Sequence, residues 1–222
     1  MSEQHAIAYA ALRERVTAVV GAAPEATVEG PCPATPEWTV HDVLAHMVGV
    51  TSDVLAGRLD GIASDAWTAA QVDARRGVGA ATMLGEWAAN ADGFDAAMRA
   101  APDAAVGQAL FDAATHELDI RHALGAPGGR DSDALAIGWE WLVSARTAAP
   151  ALEVVTEDGA RVVGAGDPVA SVRASRFELF RATCGRRTRA EVEAYDWSPG
   201  ARPDLLLAST DLFAYRDESL GE

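Results

Sequence analysis

Lysine is absent from this 222-residue chain; all 18 basic residues are arginine. A Walker A phosphate loop, a Schiff-base lysine and pyridoxal phosphate chemistry each need that amine, so none of them is open to this protein. Cysteine is scarce as well. Cys32 and Cys184 lie far apart, without CxxC or zinc-knuckle spacing, and read as two separate thiols in a reducing compartment. Cys32 sits in the loop PCPATPEW, outside any periodic segment, which leaves it open to a nucleophilic role. Long apolar runs are missing too, since no stretch reaches the roughly 18 residues that a membrane span requires. The stretch MSEQHAIAYAALRERV lacks the basic start and apolar centre of a secretory signal, so the expected location is the cytoplasm, with no membrane partner. Positive charge is in deficit: 33 acidic residues against 18 basic ones leave a net charge of −15. That balance argues against nucleic acid, whose phosphates need a clustered cationic face. Aromatic residues make up 6% of a chain that is 49% hydrophobic, so the core is expected to be built mostly from Ala, Val and Leu.

What is present is helical periodicity. Ile7, Ala11, Leu12, Val16, Val19 and Val20 recur at helical spacing over residues 5–22, after which five Pro and Gly residues between 24 and 36 make a loop. A helix restarts at Trp38-Thr39-Val40-His41-Asp42, with Thr39 as N-cap, Asp42 as the acid of a capping box and Trp38 with Val43 as a hydrophobic staple. It is expected to run to about Leu59. A shorter helical piece covers Trp67–Arg75, a long helix Ala80–Ala100, and a fourth runs from Asp103 to Leu124 and stops at Gly125. Four antiparallel helices make a bundle, which places metal and cofactor sites between facing helices. Beyond Gly125 the segment APGGRDSD reads as a linker and 133–148 as a helix. ALEVVTEDGARVVGAG then reads as a hairpin about Asp158-Gly159, Val169–Val172 as a third strand, and SRFELFRATCGRRTRAEVEAYDW as helix broken at Gly185. The expectation is a mostly helical α+β chain, with a four-helix bundle over residues 1–126 and a small α+β domain over 131–222.

In FDAATHELDIRHALG, residues 111–125, Asp112, His116 and Asp119 stand at i, i+4 and i+7 and share one stripe of a helix that must also bury Ala113 and Leu118. A carboxylate and an imidazole at i, i+4 are either an ordinary surface pair, worth roughly 0.3–0.5 kcal/mol, or two ligands of one metal ion. Burying Asp119 beside them is costly unless its charge is neutralised. A divalent cation accounts for all three residues, with Asp112 and His116 as ligands and Asp119 as a supporting or substrate-facing acid. Pairing of Asp119 with Arg121 is the competing account. His46 lies among Val43, Leu44, Met47 and Val48; taken alone it reads as a satisfied core histidine. Two histidines and one carboxylate would leave coordination positions open, as catalytic metal sites do. Glu117, one position off the stripe, reads as solvated. His41 lies five residues before His46, about 140° around the helix, and is expected on another face.

The phrase ATPEWTVHDVLAHMVGV followed later by DAATHELDIRHALG resembles the DinB-like superfamily. More narrowly, it is similar to the mycothiol-dependent maleylpyruvate isomerase family of actinobacteria. The segments WTAAQVDARRG and RASRFELFRATCGRRTRAEVEAYDW extend the resemblance over most of the chain. It implies a DinB-like metal-binding four-helix bundle followed by a small α/β domain of sterol-carrier-like type. It also implies a divalent metal, expected to be zinc, because the family's metal histidine falls on His46 and its acid-xxx-His helix motif on Asp112 and His116. Mycothiol is the implied thiol cofactor and a small electrophile the implied substrate. One position departs from the pattern: the isomerase proper resembles a Glu where this chain has the shorter Asp112.

A zinc-like ion with open positions deprotonates a coordinating thiol. Addition of that thiol to an electrophilic carbon gives isomerisation if the thiol leaves again and a conjugate if it stays. Without a thiol, the same ion activates water and the protein is a hydrolase. A non-catalytic metal- or ligand-binding bundle is the reading from another class. The expected activity is that of a metal- and mycothiol-dependent isomerase or S-transferase, with Asp119 as its catalytic acid. The arginines at 181, 186, 187 and 189 are either paired with acids such as Glu178 and Glu191 or, for Arg181 and Arg186, a clamp for a substrate carboxylate, which the arginine fork suits.

Overall fold

Thr39 starts the helix that carries the first candidate ligand. Its Oγ1 accepts from the Asp42 N–H at 3.1 Å while Asp42 Oδ2 accepts from the Thr39 N–H at 2.9 Å, the reciprocal capping box that the sequence leads one to expect. The helix closes at Ala56, earlier than Leu59. Gly57 adopts a left-handed conformation (φ 68°), and the N–H groups of Gly57 and Arg58 turn back onto the carbonyls of Val54 and Asp53.

The computed structural model describes residues 2–145, 150–207 and 213–222, and the chain divides into two compact units, Met1–Ala134 and Leu135–Glu222. In the first unit, chain order is α1 (Ser2–Ala22), α2 (Glu25–Val28), α3 (Val40–Ala56), α4 (Asp65–Asp73), α5 (Ala80–Ala89), α6 (Ala91–Ala100) and α7 (Asp103–Ala123). α1 packs on α6 and α7, while α3 packs on α5, α6 and α7 and carries α4 along its flank. Leu12, Val16, Leu44, Met83, Trp87 and Leu110 fill the space between them and are almost wholly buried. The single helix expected over Ala80–Ala100 is interrupted at Asn90. Its backbone stays helical, but its Nδ2 reaches across to α3 and donates to Thr51 Oγ1 (3.0 Å) and Ser52 Oγ (2.8 Å). After α7 the chain turns at Gly125 (φ 61°) and lies over the helix end. Gly128 (φ 154°) and Gly129 (φ 75°) adopt conformations that favour glycine, and Cβ atoms there would stand 3.0 Å from Arg121 Nη1 and Glu117 Oε1.

The second unit follows from α8 (Asp133–Ser144), whose first turn spans the boundary; positions 146–148 of the expected helix lie outside the described residues. Next come β1 (Pro150–Thr156), β2 (Gly159–Val163), β3 (Ala165–Arg173), α9 (Arg176–Thr183), α10 (Arg189–Glu193), β4 (Asp196–Trp197) and α11 (Asp204–Leu207). The sheet order is β2-β1-β3-β4. β1 and β2 form the expected hairpin, but Thr156 pairs with Gly159, so the turn residues are Glu157-Asp158 and Gly159 (φ 119°) opens the returning strand. β3 then runs parallel to β1, and no helix joins them: the chain passes round the start of β1 at Gly164 (φ 96°). β4, only two residues long, is too short to leave a periodic signal in sequence. The helical segment after residue 175 breaks at Gly185 (φ 74°), where a Cβ would lie 2.9 Å from the Ala214 carbonyl oxygen. The fold is thus α+β: a helical first unit, then a small sheet with short helices. No described helix is long and apolar enough to cross a membrane.

Candidate metal centre

α3 brings His46 opposite Asp112 and His116 of α7. The two imidazoles are buried (4% and 8% exposed), whereas the Asp112 carboxylate is half-exposed. His46 Nε2 lies 3.3 Å from Asp112 Oδ2 and His116 Nε2 lies 3.6 Å from Asp112 Oδ1, and one donor atom from each residue falls within 4.8 Å of the others. A tetrahedral shell with bonds of roughly 2.0–2.2 Å separates neighbouring donors by about 3.3–3.5 Å. The donor set of two nitrogens and one oxygen, and its spacing, therefore fit a zinc-like ion. Of the three side chains, the Asp112 carboxylate is the most exposed to solvent.

Both rings turn Nε2 to this shared centre and Nδ1 away from it. His46 Nδ1 is 2.7 Å from Gln71 Oε1 on α4, and Gln71 Nε2 donates to Asp53 Oδ2 at 2.7 Å. His116 Nδ1 lies 3.3 Å from Asp119 Oδ2, off the axis of a hydrogen bond, and Asp119 is fully buried. Asp119 therefore stands behind the His116 ring. Arg121, its possible partner by sequence, pairs instead with Glu117. The Trp38 ring lies over both imidazoles, with centroids 5.6 Å from His46 and 6.0 Å from His116, nearly parallel (27°) to the latter. The imidazoles meet each other edge-on at 5.1 Å.

Burial pushes the His46 pKa down, but the Asp112 carboxylate and the hydrogen bond to Gln71 outweigh it, and the net shift is upward. In the metal-free protein, a raised histidine pKa contributes stability that is complete below the ordinary value of about 6.5 and is lost as pH rises through the folded value. A metal needs the neutral ring, so its binding strengthens over that same rise. The increase in melting temperature caused by zinc is accordingly expected to grow as pH is raised from about 6 to 8, a comparison that thermal melts with and without zinc make directly.

Of the other residues singled out in the sequence, Glu117 departs from expectation, Cys32 loses its nucleophilic alternative, and His41 lies as expected. Glu117 is not solvated: it is 1% exposed and accepts from Arg15 Nε (2.8 Å) and Nη2 (2.6 Å) of α1 and from Arg121 Nε (2.9 Å). Arg15 of α1 and the glycine turn that cover it come from outside the helix, so helical spacing alone cannot show them. Cys32 is fully buried with Sγ 3.8 Å from the Asp119 carbonyl oxygen, and burial pushes its thiol pKa up, the opposite of a reactive thiolate. His41 does face elsewhere, with Nε2 2.7 Å from the Val78 carbonyl oxygen.

In the second unit, Arg181 is fully buried and its Nε donates to Glu222 Oε2 at 2.9 Å; Arg187 Nη1 donates to the same oxygen at 2.6 Å. Arg186 Nη1 donates to the Cys184 carbonyl oxygen at 2.7 Å. The carboxylate held by the Arg181 fork here is thus that of Glu222. Arg181→Lys keeps the charge but loses the fork. It is expected to destabilise the protein by about 1–3 kcal/mol, as loss of a charge-assisted hydrogen bond does, and a denaturant melt measures it.

Gln71, Asp53 and the ring of Trp38 escaped the sequence reading as site residues. Trp38 carried a signal, since it directly precedes the capping box of the helix that bears His46; Gln71 carried only its place in the short helical piece WTAAQVDARRG.

Residues 9–117 match the model of the mycothiol maleylpyruvate isomerase N-terminal domain. No curated protein sequence matches the chain. Among solved structures, the mycothiol-dependent maleylpyruvate isomerase superposes with a TM-score of 0.63 at 13% identity, covering 90% of this chain and 94% of that one. A variant of that isomerase superposes equally well at 12% identity. The helical unit that carries His46, Asp112 and His116 is the part the family model covers, and this unit belongs to the mycothiol maleylpyruvate isomerase N-terminal domain family.

Proposed function

We propose that this protein binds one divalent, zinc-like cation through His46 Nε2, His116 Nε2 and Asp112, and uses it with mycothiol as an isomerase or S-transferase on a small electrophile. The observation that carries this reading is the convergence of two buried imidazoles and one half-exposed carboxylate within 4.8 Å, in the domain whose family is named for mycothiol. When bound, the cation would supply Lewis acidity, lowering the pKa of a coordinated thiol so that it attacks as thiolate. The chain's own residues do the rest. Trp38 caps both imidazoles, and the half-exposed Asp112 marks the side from which a thiol and substrate would approach. Asp119 acts through the His116 ring as a positioning residue: Asp119→Asn is expected to keep the fold and to weaken zinc binding roughly 10–100-fold. Asp112 is shorter by one methylene than the Glu its family resembles at that place, so maleylpyruvate is one candidate substrate among small electrophiles. Arg181 would meet a substrate carboxylate only by exchanging it for Glu222.

The test is metal analysis of the purified protein, then thiol consumption with mycothiol and a panel of electrophiles that includes maleylpyruvate. Catalytic return of the thiol identifies the isomerase and stoichiometric consumption the transferase. Turnover that needs metal but no thiol identifies a hydrolase, and absence of metal after zinc reconstitution removes the proposal.

A further inference from the structure

Gln71 is the buried residue of α4 (2% exposed), and its amide joins His46 to a buried carboxylate. The direction of this chain of hydrogen bonds follows from its far end. Arg58 donates from Nε (2.8 Å) to Asp53 Oδ1, and an ionised carboxylate can only accept. The group that faces Asp53 Oδ2 at 2.7 Å must therefore be the donating end of the Gln71 amide, Nε2. The other end, Oε1, can only accept, and it stands 2.7 Å from His46 Nδ1. The proton of a neutral His46 then sits on Nδ1, which leaves the lone pair of Nε2 aimed at Asp112 and His116.

The packing of α3 is shaped for this amide. A glycine inside a helix costs about 1 kcal/mol relative to alanine, yet α3 has Gly49 in its interior. A Cβ there would lie 2.5 Å from Gln71 Cβ and 2.7 Å from its Cγ. Glycine at position 49 is what lets the Gln71 side chain enter. α4 is fastened in that position by Arg75, which donates to the Gln71 carbonyl (3.2 Å), to Ser52 Oγ (3.1 Å) and to Glu86 Oε2 (3.1 Å).

We propose that Gln71, held by Asp53, is the positioning residue that locks His46 in the tautomer and orientation a metal ligand requires. This inference rests on the proposed metal centre. It gives the two imidazoles different supports: a carboxylate, Asp119, behind His116, and an amide that relays a carboxylate behind His46.

The experiment compares wild type, Gln71→Leu and the double variant Gln71→Glu/Asp53→Asn. The double variant restores an acceptor for His46 Nδ1–H and a donor for it at position 53, so the chain of hydrogen bonds is complete again with its charge moved one residue inward. Two readouts are taken. Zinc affinity is measured by competition with a chromophoric chelator, and the His46 tautomer is read by imidazole 15N NMR in the metal-free protein. Wild type is expected to show the Nδ1–H tautomer. Gln71→Leu is expected to mix the tautomers and weaken zinc binding 10–100-fold, and the double variant to restore both. A Gln71→Leu protein that keeps the wild-type tautomer and affinity overturns the inference, as does a double variant that stays as defective as Gln71→Leu. If wild type takes up no zinc, the metal centre itself fails, and the metal-free NMR comparison alone then decides whether Gln71 sets the tautomer.

Discussion

His116→Ala is expected to abolish stoichiometric zinc binding and, with it, thiol-dependent turnover, while the protein still folds. Removing the ring leaves His46 and Asp112, and two ligands seldom hold an ion against water. The loss should exceed the 10–100-fold typical of changes to residues behind a ligand, which places the variant below saturation at micromolar metal. The fold should survive because His116 is at the edge of the core, under Trp38, and not among the residues that fill it. The vacated space costs about 1–3 kcal/mol, an ordinary value for a core truncation of this size. His46→Ala should give the same metal loss. Asp112→Glu is the informative companion, since it supplies the longer carboxylate that the family resemblance implies at this place: affinity equal to or above wild type indicates a centre that accepts either acid, and complete loss indicates one built round Asp. Metal analysis by mass spectrometry after gel filtration measures all three, and full occupancy in both alanine variants would sink the site.

Glu117→Ala should do the reverse, leaving the metal ligands in place and destabilising the unit that holds them. Its carboxylate is the shared acceptor for Arg15 and Arg121, and it is almost wholly buried. Removing one partner of a buried pair costs about 3–5 kcal/mol. Arg15 is about a third exposed and can be rehydrated, so the lower value of roughly 2–4 kcal/mol is expected. In a protein of this size that is a fall of about 5–15 °C in melting temperature. The loss should be similar with and without zinc, because Glu117 points about 100° round α7 from His116 and is engaged by Arg15 and Arg121. A normal melt would mean that the two arginines find other partners.

These two residues are sequence neighbours, and the contrast between them shows how far the chain could be read unaided. Helical period put Asp112, His116 and Asp119 on one line, and all three do gather on one side of α7. The same period assigned Glu117 to solvent, because periodicity registers which residues share a face and not what lies against it. Arg15 arrives from α1 and the Gly128-Gly129 turn closes over the top, and neither is visible in the spacing of α7. The Arg181 fork is a similar case. Its chemistry, binding a carboxylate, was legible, but its occupant comes from 41 positions away.

By itself the sequence determined the local structure of the bundle: the capping box at Thr39, the stop at Gly125, the helix that carries the carboxylate–imidazole pair, the hairpin near Gly159 and the break at Gly185. Each of these depends on residues within a turn or two of one another, so the information is contiguous in the chain. The tertiary structure alone decided that α5 and α6 part at Asn90, that β3 lies parallel to β1, and that Cys32 is sealed in the core. It also decided that Gln71, 25 positions from His46, supplies the acceptor behind that ring. The orientation of an imidazole is set by whatever faces its second nitrogen, and in a helical bundle that group comes from another helix.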